Sequence, residues 1–300
     1  KKKICYQWKA LRNRERKTEN FLKGVSFGND WGVALDNWNS INDPLTSDMI
    51  IGKKQFGESI YFQSVIKSNL TQHMRKFHNN VKTIIFSRFI SKNDKVFELA
   101  GGKGADIWKW NDIPVSYVVV NDIDENALLL SDDSAKNRYL NIRNKNYEAG
   151  FLLADAGTNL TTKFNKGNFK VNQFNVISCQ FAMHYFMKNK LTFNNFMNNV
   201  DRYIKSGGYF IATAFDGLSI YNLLKNIDYI EFKHKEKVLF KIEKLYKIKK
   251  LNSFGQNINV YIESIGTNEE YLLNFDFITK EFEKRNFKLI ESDSFEKLYK

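Results

Sequence analysis

Residues 95–110, Lys-Val-Phe-Glu-Leu-Ala-Gly-Gly-Lys-Gly-Ala-Asp-Ile-Trp-Lys-Trp, restrict the fold of this chain more than any other stretch. Val96, Phe97 and Leu99 form a short apolar run that suits a buried parallel strand. Glu98 puts an acid at the strand tip, Gly101, Gly102 and Gly104 make a tight turn, and residues 105–110 resume as a helix. Strand, glycine turn and helix start together present free backbone N–H groups and a positive dipole end to a cleft. The glycines let a ligand approach the main chain, because no Cβ intervenes. The next strand, 116–121, ends at Asp122, where a carboxylate can accept both hydroxyls of an adenosine ribose.

A glycine turn between a strand and a helix often binds nothing, and by itself it leaves the question even. With strands on both sides and an acid closing the second, a nucleotide-type cofactor is the better reading. The dinucleotide spacing G-x-G-x-x-G is not met, since Gly102-Lys103-Gly104 runs into Ala105, Asp106 and Ile107; the G-x-x-x-x-G-K-[ST] phosphate loop is missing too. An acid at the first strand tip suits an ammonium group and repels phosphate. S-adenosylmethionine, with one adenosine and one ammonium, satisfies both carboxylates.

Three hundred residues suffice for one large α/β domain with additions or for two small domains. Hydrophobic residues at 43%, with 15% aromatics, support a substantial core. The formal charge of +13 points to an anionic partner such as nucleic acid, although a generally lysine- and asparagine-rich proteome produces the same balance. Cys5 and Cys179 lie far apart, which argues against a cysteine zinc site or a disulfide framework and suggests a reducing compartment. No apolar run approaches membrane-spanning length, and the basic start lacks the apolar stretch of a signal peptide. A chain that begins with Lys1 reads as a fragment of something longer.

Residues 1–70 show little periodicity, and 1–19 are strongly basic. Ile60, Val65, Leu70, Met74, Phe77, Val81, Ile84 and Ile85 recur at helical spacing and predict a helix over 60–86, with Arg75, His78, Asn79 and Lys82 on or near one face. Beyond the glycine turn the pattern alternates. It predicts a helix over 125–143, a strand over 150–154 ending in Asp155, and a strand over 174–178 leading into Cys179-Gln180-Phe181-Ala182-Met183-His184-Tyr185. A helix over 192–205, a Gly207-Gly208 turn and a strand over 209–214 follow. Such alternation means an α/β fold with a mostly parallel, doubly wound sheet. Ligands then sit at the carboxyl ends of the strands, where Gly102, Asp122, Asp155, Gln180 and Phe215 fall. The lysine-rich stretch 220–250 looks helical, either as a solvated face or as an RNA-contacting insert. Residues 257–264 read as a strand, Glu269-Glu270-Tyr271 as the opening of a helix reaching about 285, and 287–290 as a last strand.

Over roughly residues 74–295 the chain resembles the mRNA cap guanine-N7 methyltransferases. Residues 74–82, Met-Arg-Lys-Phe-His-Asn-Asn-Val-Lys, are similar to that family's L-R-x-F-N-N-W-x-K, and 96–110 to V-L-D-L-G-C-G-K-G-G-D-L-x-K-W. The most specific block is 178–185, Ser-Cys-Gln-Phe-Ala-Met-His-Tyr, which resembles S-C-Q-F-x-x-H-Y; Glu269-Glu270-Tyr271-Leu272-Leu273 resembles P-E-[FY]-L-V. Residues 8–18 look like the terminal W-x-x-L-R-x-R-x-D-K-T motif of guanylyltransferase oligonucleotide-binding folds. Residues 41–52 resemble the linker that follows it in the multifunctional capping enzymes of large DNA viruses.

The resemblance implies a class I S-adenosylmethionine-dependent methyltransferase fold over 56–300, with a lysine-rich insert at 218–250 and an N-terminal extension or linker over 1–55. It assigns Lys82, Gly102 and Asp122 to S-adenosylmethionine (leaving as S-adenosylhomocysteine), with Glu98 near the methionine ammonium, Asp155 at the adenine amino group and Gln180 lining the same pocket. Cap recognition falls to Asn79, Phe181, His184, Tyr185 and Glu270, with His78 standing where the family usually has Asn. Asp124 replaces a more usual aromatic or small residue and takes no role. The implied partners are GpppN-capped RNA, guanylyltransferase and triphosphatase domains of the same polypeptide, and the small stimulatory subunit on which some viral relatives depend. The implied location is the host cytoplasm or the virion, with no membrane. The tyrosine-bearing strand pair with which the family ends is expected to be missing or shortened.

Guanine N7 keeps a free lone pair at neutral pH and a sulfonium is already an activated donor, so neither a general base, a nucleophile nor a metal is expected. In-line positioning can lower such a barrier by about 7–11 kcal/mol. Taken singly, His184 reads more commonly as a structural histidine, Glu270 as a helix-start acid and Phe181 and Tyr185 as core; clustering at strand ends favours a site. The alternative is a catalytically idle cap- or RNA-binding module on the same fold. Methylation of another base or of ribose 2′-OH is a third reading, and the latter needs a Lys-Asp-Lys-Glu arrangement that the sequence does not display.

Overall fold

The computed structural model describes residues 22–24, 70–248 and 250–299. The chain divides into two compact units, Lys1–Phe56 and Gly57–Lys300, and the fold below is that of the second. The basic N-terminal stretch, the motif at 8–18, the linker at 41–52 and the front of the predicted 60–86 helix lie outside the described residues.

Helix α1 (Gln72–Phe89) buries Val81, Lys82, Ile85 and Phe86, the one-sided stripe that helical spacing predicts. Five parallel strands follow: β1 (Lys95–Glu98), β2 (Tyr117–Asp122), β3 (Glu148–Leu153), β4 (Phe174–Gln180) and β5 (Ile204–Thr213). They lie in the order β3-β2-β1-β4-β5. The connecting helices are α2 (Ile107–Asp112), α3 (Ala135–Leu140), α4 (Thr161–Lys166) and α5 (Lys190–Tyr203), with a π-helical turn at Asn126–Leu130 and a 3-10 helix at Met183–Lys188. Side chains alternate across the pleat, and two cores result. Val96, Val118, Val120 and Val176 join Phe86 and Trp110 on one face. Phe97, Val119 and Ile177 join Phe174, Phe193 and Phe196 on the other. The doubly wound parallel sheet is therefore present, and chain order reverses between β1 and β4, the position at which such sheets open a crevice.

The predicted 125–143 helix is broken. Ser131 turns extended, Ser134 caps a new helix by accepting from the Asn137 N–H, and Asn137 Nδ2 donates to the Ser131 carbonyl. Short polar side chains in the Ser131-Asp132-Asp133-Ser134 run compete with helical hydrogen bonding and win.

The lysine-rich insert departs most from expectation. Only α6 (Gly217–Leu223) is helical; β6 (Tyr229–His234), β7 (Lys237–Lys244), β8 (Asn257–Ile262) and β9 (Gly266–Tyr271) form a separate antiparallel sheet in the order β6-β7-β8-β9. Ile230, Phe240, Ile242, Ile258 and Val260 alternate along these strands and pack with Ile220 and Tyr221 of α6 and Leu224 just after it, so a period of two overrides the apparent helical one. Lys233, Lys237, Lys241 and Lys244 pair with Glu231, Glu263, Glu243 and Asp228. Glu270 accordingly lies on β9 and not at a helix start. The following helix, α7 (Phe275–Glu283), is capped by Asn274, which accepts from the Phe277 N–H. Residues 287–290 form no strand, and Leu289 and Ile290 are exposed. A short helix, α8 (Phe295–Tyr299), follows.

Gly217 opens α6 directly against the backbone of Leu273, and a Cβ there would stand 2.1 Å from the Leu273 carbonyl oxygen. Gly217→Ala gains about 1 kcal/mol of helix propensity at most. Forcing two backbones apart costs about 1–3 kcal/mol or more. Urea unfolding should therefore show a net loss of about 1–2 kcal/mol; an unchanged or raised midpoint would contradict this packing.

Candidate active site

The glycine turn is built on hydrogen bonds across the sheet end. The Gly101 N–H donates to the Asn121 carbonyl at 2.9 Å and the Gly104 N–H to the Gly101 carbonyl at 2.8 Å, while Gly102 and Gly104 take φ of 54° and 65°. Asp122 is locked on both oxygens: Oδ2 accepts from the Gly102 N–H at 2.6 Å and Oδ1 from the Asp124 N–H at 2.8 Å. Burial raises its carboxyl above the usual range, and the two amides work against that rise. Asp124 caps the π-helical turn by accepting from the Ala127 N–H, a local structural role. Ile123, beside Asp122, is 54% exposed and offers an apolar face to a flat ring. Sequence reasoning missed it, although an apolar residue just after the acid of a strand end was the available signal.

Behind the turn lies a buried charge cluster. Glu98 accepts from Trp110 Nε1 at 2.8 Å; burial first, then the neighbouring Asp106, pushes its carboxyl up. Asp106 sits 2.6 Å from Lys82 Nζ and 2.8 Å from Lys109 Nζ, and the two lysines overcome the effect of burial to hold it below the usual carboxylate range. Lys109 also donates to Asn79 Oδ1 at 2.8 Å. Lys82, read from sequence as a cofactor ligand, thus stands against Asp106, and the Asn79 amide is engaged by a lysine. Asp106 was assigned no role in the sequence, although it occupies the acid of the quoted G-G-D block.

At the end of β4, Gln180 Nε2 donates to Ser178 Oγ at 3.0 Å, and Thr213 Oγ1 donates to Gln180 Oε1 at 3.0 Å. Phe181 takes φ of 54°, a region that costs a residue with a Cβ about 1–2 kcal/mol. Its N–H is held by the Thr213 carbonyl at 2.9 Å. That turn swings the Phe181 ring to 5.0 Å from the His78 ring, with Lys82 Nζ 5.9 Å from its centroid. Beyond Asp122, just past the edge strand β3, Asp155 Oδ1 accepts from the Gly157 N–H at 2.7 Å. Along the carboxyl end of the sheet the four therefore follow the order Asp155, Asp122, Glu98, Gln180.

His184, in the 3-10 helix after β4, comes to 3.6 Å from Glu270 on β9. Both are buried, and among the described residues neither ring nitrogen of His184 nor Glu270 Oε2 has a hydrogen-bond partner. Burial lowers the imidazole to about 3 and raises the carboxyl to about 8. At neutral pH the imidazole is neutral and the carboxyl largely protonated. They line a narrow slot with Phe215, Ile220, Ile258 and Leu272, with no room for a water molecule. Tyr185 lies edge-on to His184 at 4.1 Å. Lys103, in the glycine turn, pairs with Asp133 at 2.9 Å. A larger polar hollow, about 470 Å³, lies around Asn195, Asn199 and Arg202 and contains none of these groups.

The family description mRNA (guanine-N(7))-methyltransferase domain matches residues 51–300. The chain is 30% identical, over 98% of its length, to the probable mRNA-capping enzyme of Acanthamoeba polyphaga mimivirus, of which it covers 29%. It is 26% identical, over 98% of its length, to the mRNA-capping enzyme of African swine fever virus (strain Badajoz 1971 Vero-adapted), of which it covers 35%. With the mRNA cap guanine-N(7) methyltransferase of Drosophila melanogaster it shares 26% identity over 76% of its length, covering 56% of that protein. The chain thus spans about a third of each viral relative and just over half of the fly protein.

The Glu270 carboxyl has a definite linkage sign. In the unfolded chain it ionises near its ordinary 4.5, whereas in the fold it stays protonated to about 8. Between these values the native state binds the extra proton, so its contribution to stability is complete below about pH 4.5 and is lost as pH rises through 8. Denaturant unfolding should show wild type losing more stability than Glu270→Gln from about pH 5 to 9, the difference being on the order of 2–4 kcal/mol. Parallel pH profiles would show that this carboxyl is not buried as described.

Proposed function

The chain belongs to the mRNA (guanine-N(7))-methyltransferase family, and we propose that it transfers the methyl group of S-adenosylmethionine to N7 of the guanine of a GpppN RNA cap. The observation that carries this reading is the segment 178–185. It ends β4 with Gln180 on the same rim as Glu98 and Asp122, and four residues later delivers His184 to Glu270 of the second sheet.

The residues of the rim fit the cofactor by their chemistry. Asp122, oriented by two amides, suits the ribose hydroxyls; the exposed Ile123 suits the adenine face, with Asp155 and Gln180 beyond it. Glu98 and the Gly102 turn suit the amino-acid end, with Lys82 behind them at Asp106. When bound, S-adenosylmethionine supplies a methyl group already activated on a sulfonium. The protein is left to bind, orient and exclude water.

Glu270 and His184 serve the other reactant. Two buried polar side chains without partners are costly, and a guanine edge, rich in N–H groups, can satisfy them. N–H donors from the purine favour the ionised form of Glu270, which then faces a ring that becomes cationic on methylation. His78, Phe181 and Tyr185 supply flat faces for the base. Asn79 with Arg75 and Lys76 lies where α1 begins, in reach of a cap triphosphate by charge complementarity.

In the wider assembly we read 1–55 as an extension or linker and 56–300 as the methyltransferase domain. We read guanylyltransferase and triphosphatase domains of the same polypeptide and a small stimulatory subunit as its partners; the likeness to viral mRNA-capping enzymes supports the linked capping domains. No described helix is long and apolar enough to cross a membrane; cytoplasmic viral replication sites are the expected location.

Methyl incorporation into unmethylated GpppN-RNA tests the reading directly. Glu270→Ala and His184→Ala should each lower transfer about 100-fold, the scale of removing one transition-state contact, while calorimetry still shows S-adenosylmethionine binding. Asp122→Ala should instead weaken cofactor binding. Absence of transfer by a folded, cofactor-bound chain would overturn the proposal, and absence of cofactor binding would favour the idle cap-binding module.

A further inference from the structure

Helix α8 is five residues long, yet it is tied to the molecule at both ends of its approach. Glu291 pairs with Arg88 near the end of α1, and Tyr299 meets Phe77 near the start of that helix with ring centroids 5.1 Å apart. The segment between them therefore runs back along α1. Phe295 and Leu298 pack against the core cluster of that face.

Phe295 is the residue this strap delivers to the site. Its ring stands edge-on to His78 at 5.6 Å and 78°, and edge-on to Phe181 at 5.7 Å and 75°. His78 and Phe181 are themselves 5.0 Å apart. The three rings close a triangle whose members come from three separate places in the chain: α1, the strained residue after β4, and the C-terminal strap. Edge-to-face placement is the preferred aromatic geometry because ring edges are positive and ring faces negative. One ring held nearly perpendicular to both of the others restricts their tilt.

We propose that Phe295 is a positioning residue for the purine substrate. By holding His78 and Phe181 in fixed orientation it preorganises the aromatic wall against which the guanine lies. Phe181 most needs such a support, since its φ of 54° is unfavourable and only surrounding contacts hold it there. Without the Phe295 edge, both rings regain rotamer freedom, and that entropy must be given up again when the base binds. The inference rests on the cap-site assignment made above and adds to it a residue from the far end of the chain.

The test compares Phe295→Leu, which keeps apolar volume for the strap, with Phe295→Tyr, which keeps the ring, and Tyr299→Ala, which loosens the same helix at Phe77 while leaving the Phe295 contacts with His78 and Phe181 in place. Binding of GpppG and of S-adenosylhomocysteine is followed by intrinsic fluorescence and calorimetry. Two edge contacts of ordinary strength predict GpppG affinity about tenfold weaker in Phe295→Leu. Phe295→Tyr should recover wild-type affinity, Tyr299→Ala should stay within about twofold, and S-adenosylhomocysteine affinity should be unchanged throughout. Phe295→Leu combined with His78→Ala should lose less than the product of the single effects. GpppG binding by Phe295→Leu within twofold of wild type, or an equal loss in Tyr299→Ala, would overturn the inference and leave the function standing. A wild-type chain that binds no GpppG would overturn the cap-site reading, and the inference with it.

Discussion

The parallel pairing of β1 between β2 and β4 is the constraint on which the site depends. Register places Glu98 opposite Val120 on one side and Ser178 on the other, so three chain crossings end at one level. Each strand then ends in a polar side chain: Glu98, Asp122 and Gln180. Such groups are expensive to bury, and the fold offsets each by a named partner: the Trp110 N–H, the Gly102 and Asp124 amides, and Thr213 with Ser178. Lys82 and Lys109 do the same for Asp106. Removing one partner of a buried pair like Lys82 and Asp106 typically costs about 3–5 kcal/mol, because the other charge is left without compensation. Preorganisation of the rim is thus the same thing as its electrostatic stabilisation.

The second sheet brings a different kind of asset. Its inner face is an ordinary apolar core against α6, but β9 also presents Glu270 to His184 of the 3-10 helix. There, among the described residues, both His184 ring nitrogens and Glu270 Oε2 lack hydrogen-bond partners, and burial has driven both groups toward their neutral forms. A site that leaves a buried donor–acceptor pair unsatisfied is poised for a ligand that completes it. The slot is also too tight for water in this structure, so any ligand entering it would need β9 or its neighbours to give way.

Much of the first sheet was legible in the sequence because its signals are local. A glycine turn, an acid at a strand tip and buried valine runs report their own surroundings. Gln180, His184 and Asp122 could be placed at strand ends for that reason. The insert was misread because lysines at many positions imitate a helical face, while the decisive information is which residues pair across strands. Ile230 opposite Ile242 and Ile242 opposite Val260 are long-range facts that no window of the sequence contains. Glu270 lies on a strand where a helix was expected, and there it is buried against His184. Ile123 and Asp106 went unnoticed because the sequence does not show which apolar side chain stays exposed or which buried lysine seeks an acid. Phe295 was hidden for the plainest reason: its partners lie more than a hundred residues away.

The central claim is that two groups of residues, one at the rim of the parallel sheet and one shared between the 3-10 helix and β9, hold donor and acceptor of a single transfer. A crystal structure of the chain with S-adenosylhomocysteine and GpppG bound together tests it most directly. The account predicts the ribose on Asp122, the homocysteine over the Gly102 turn, and the guanine edge against Glu270 and His184 with the slot opened to receive it. A guanine seated elsewhere, with the His184–Glu270 slot still shut, would contradict it.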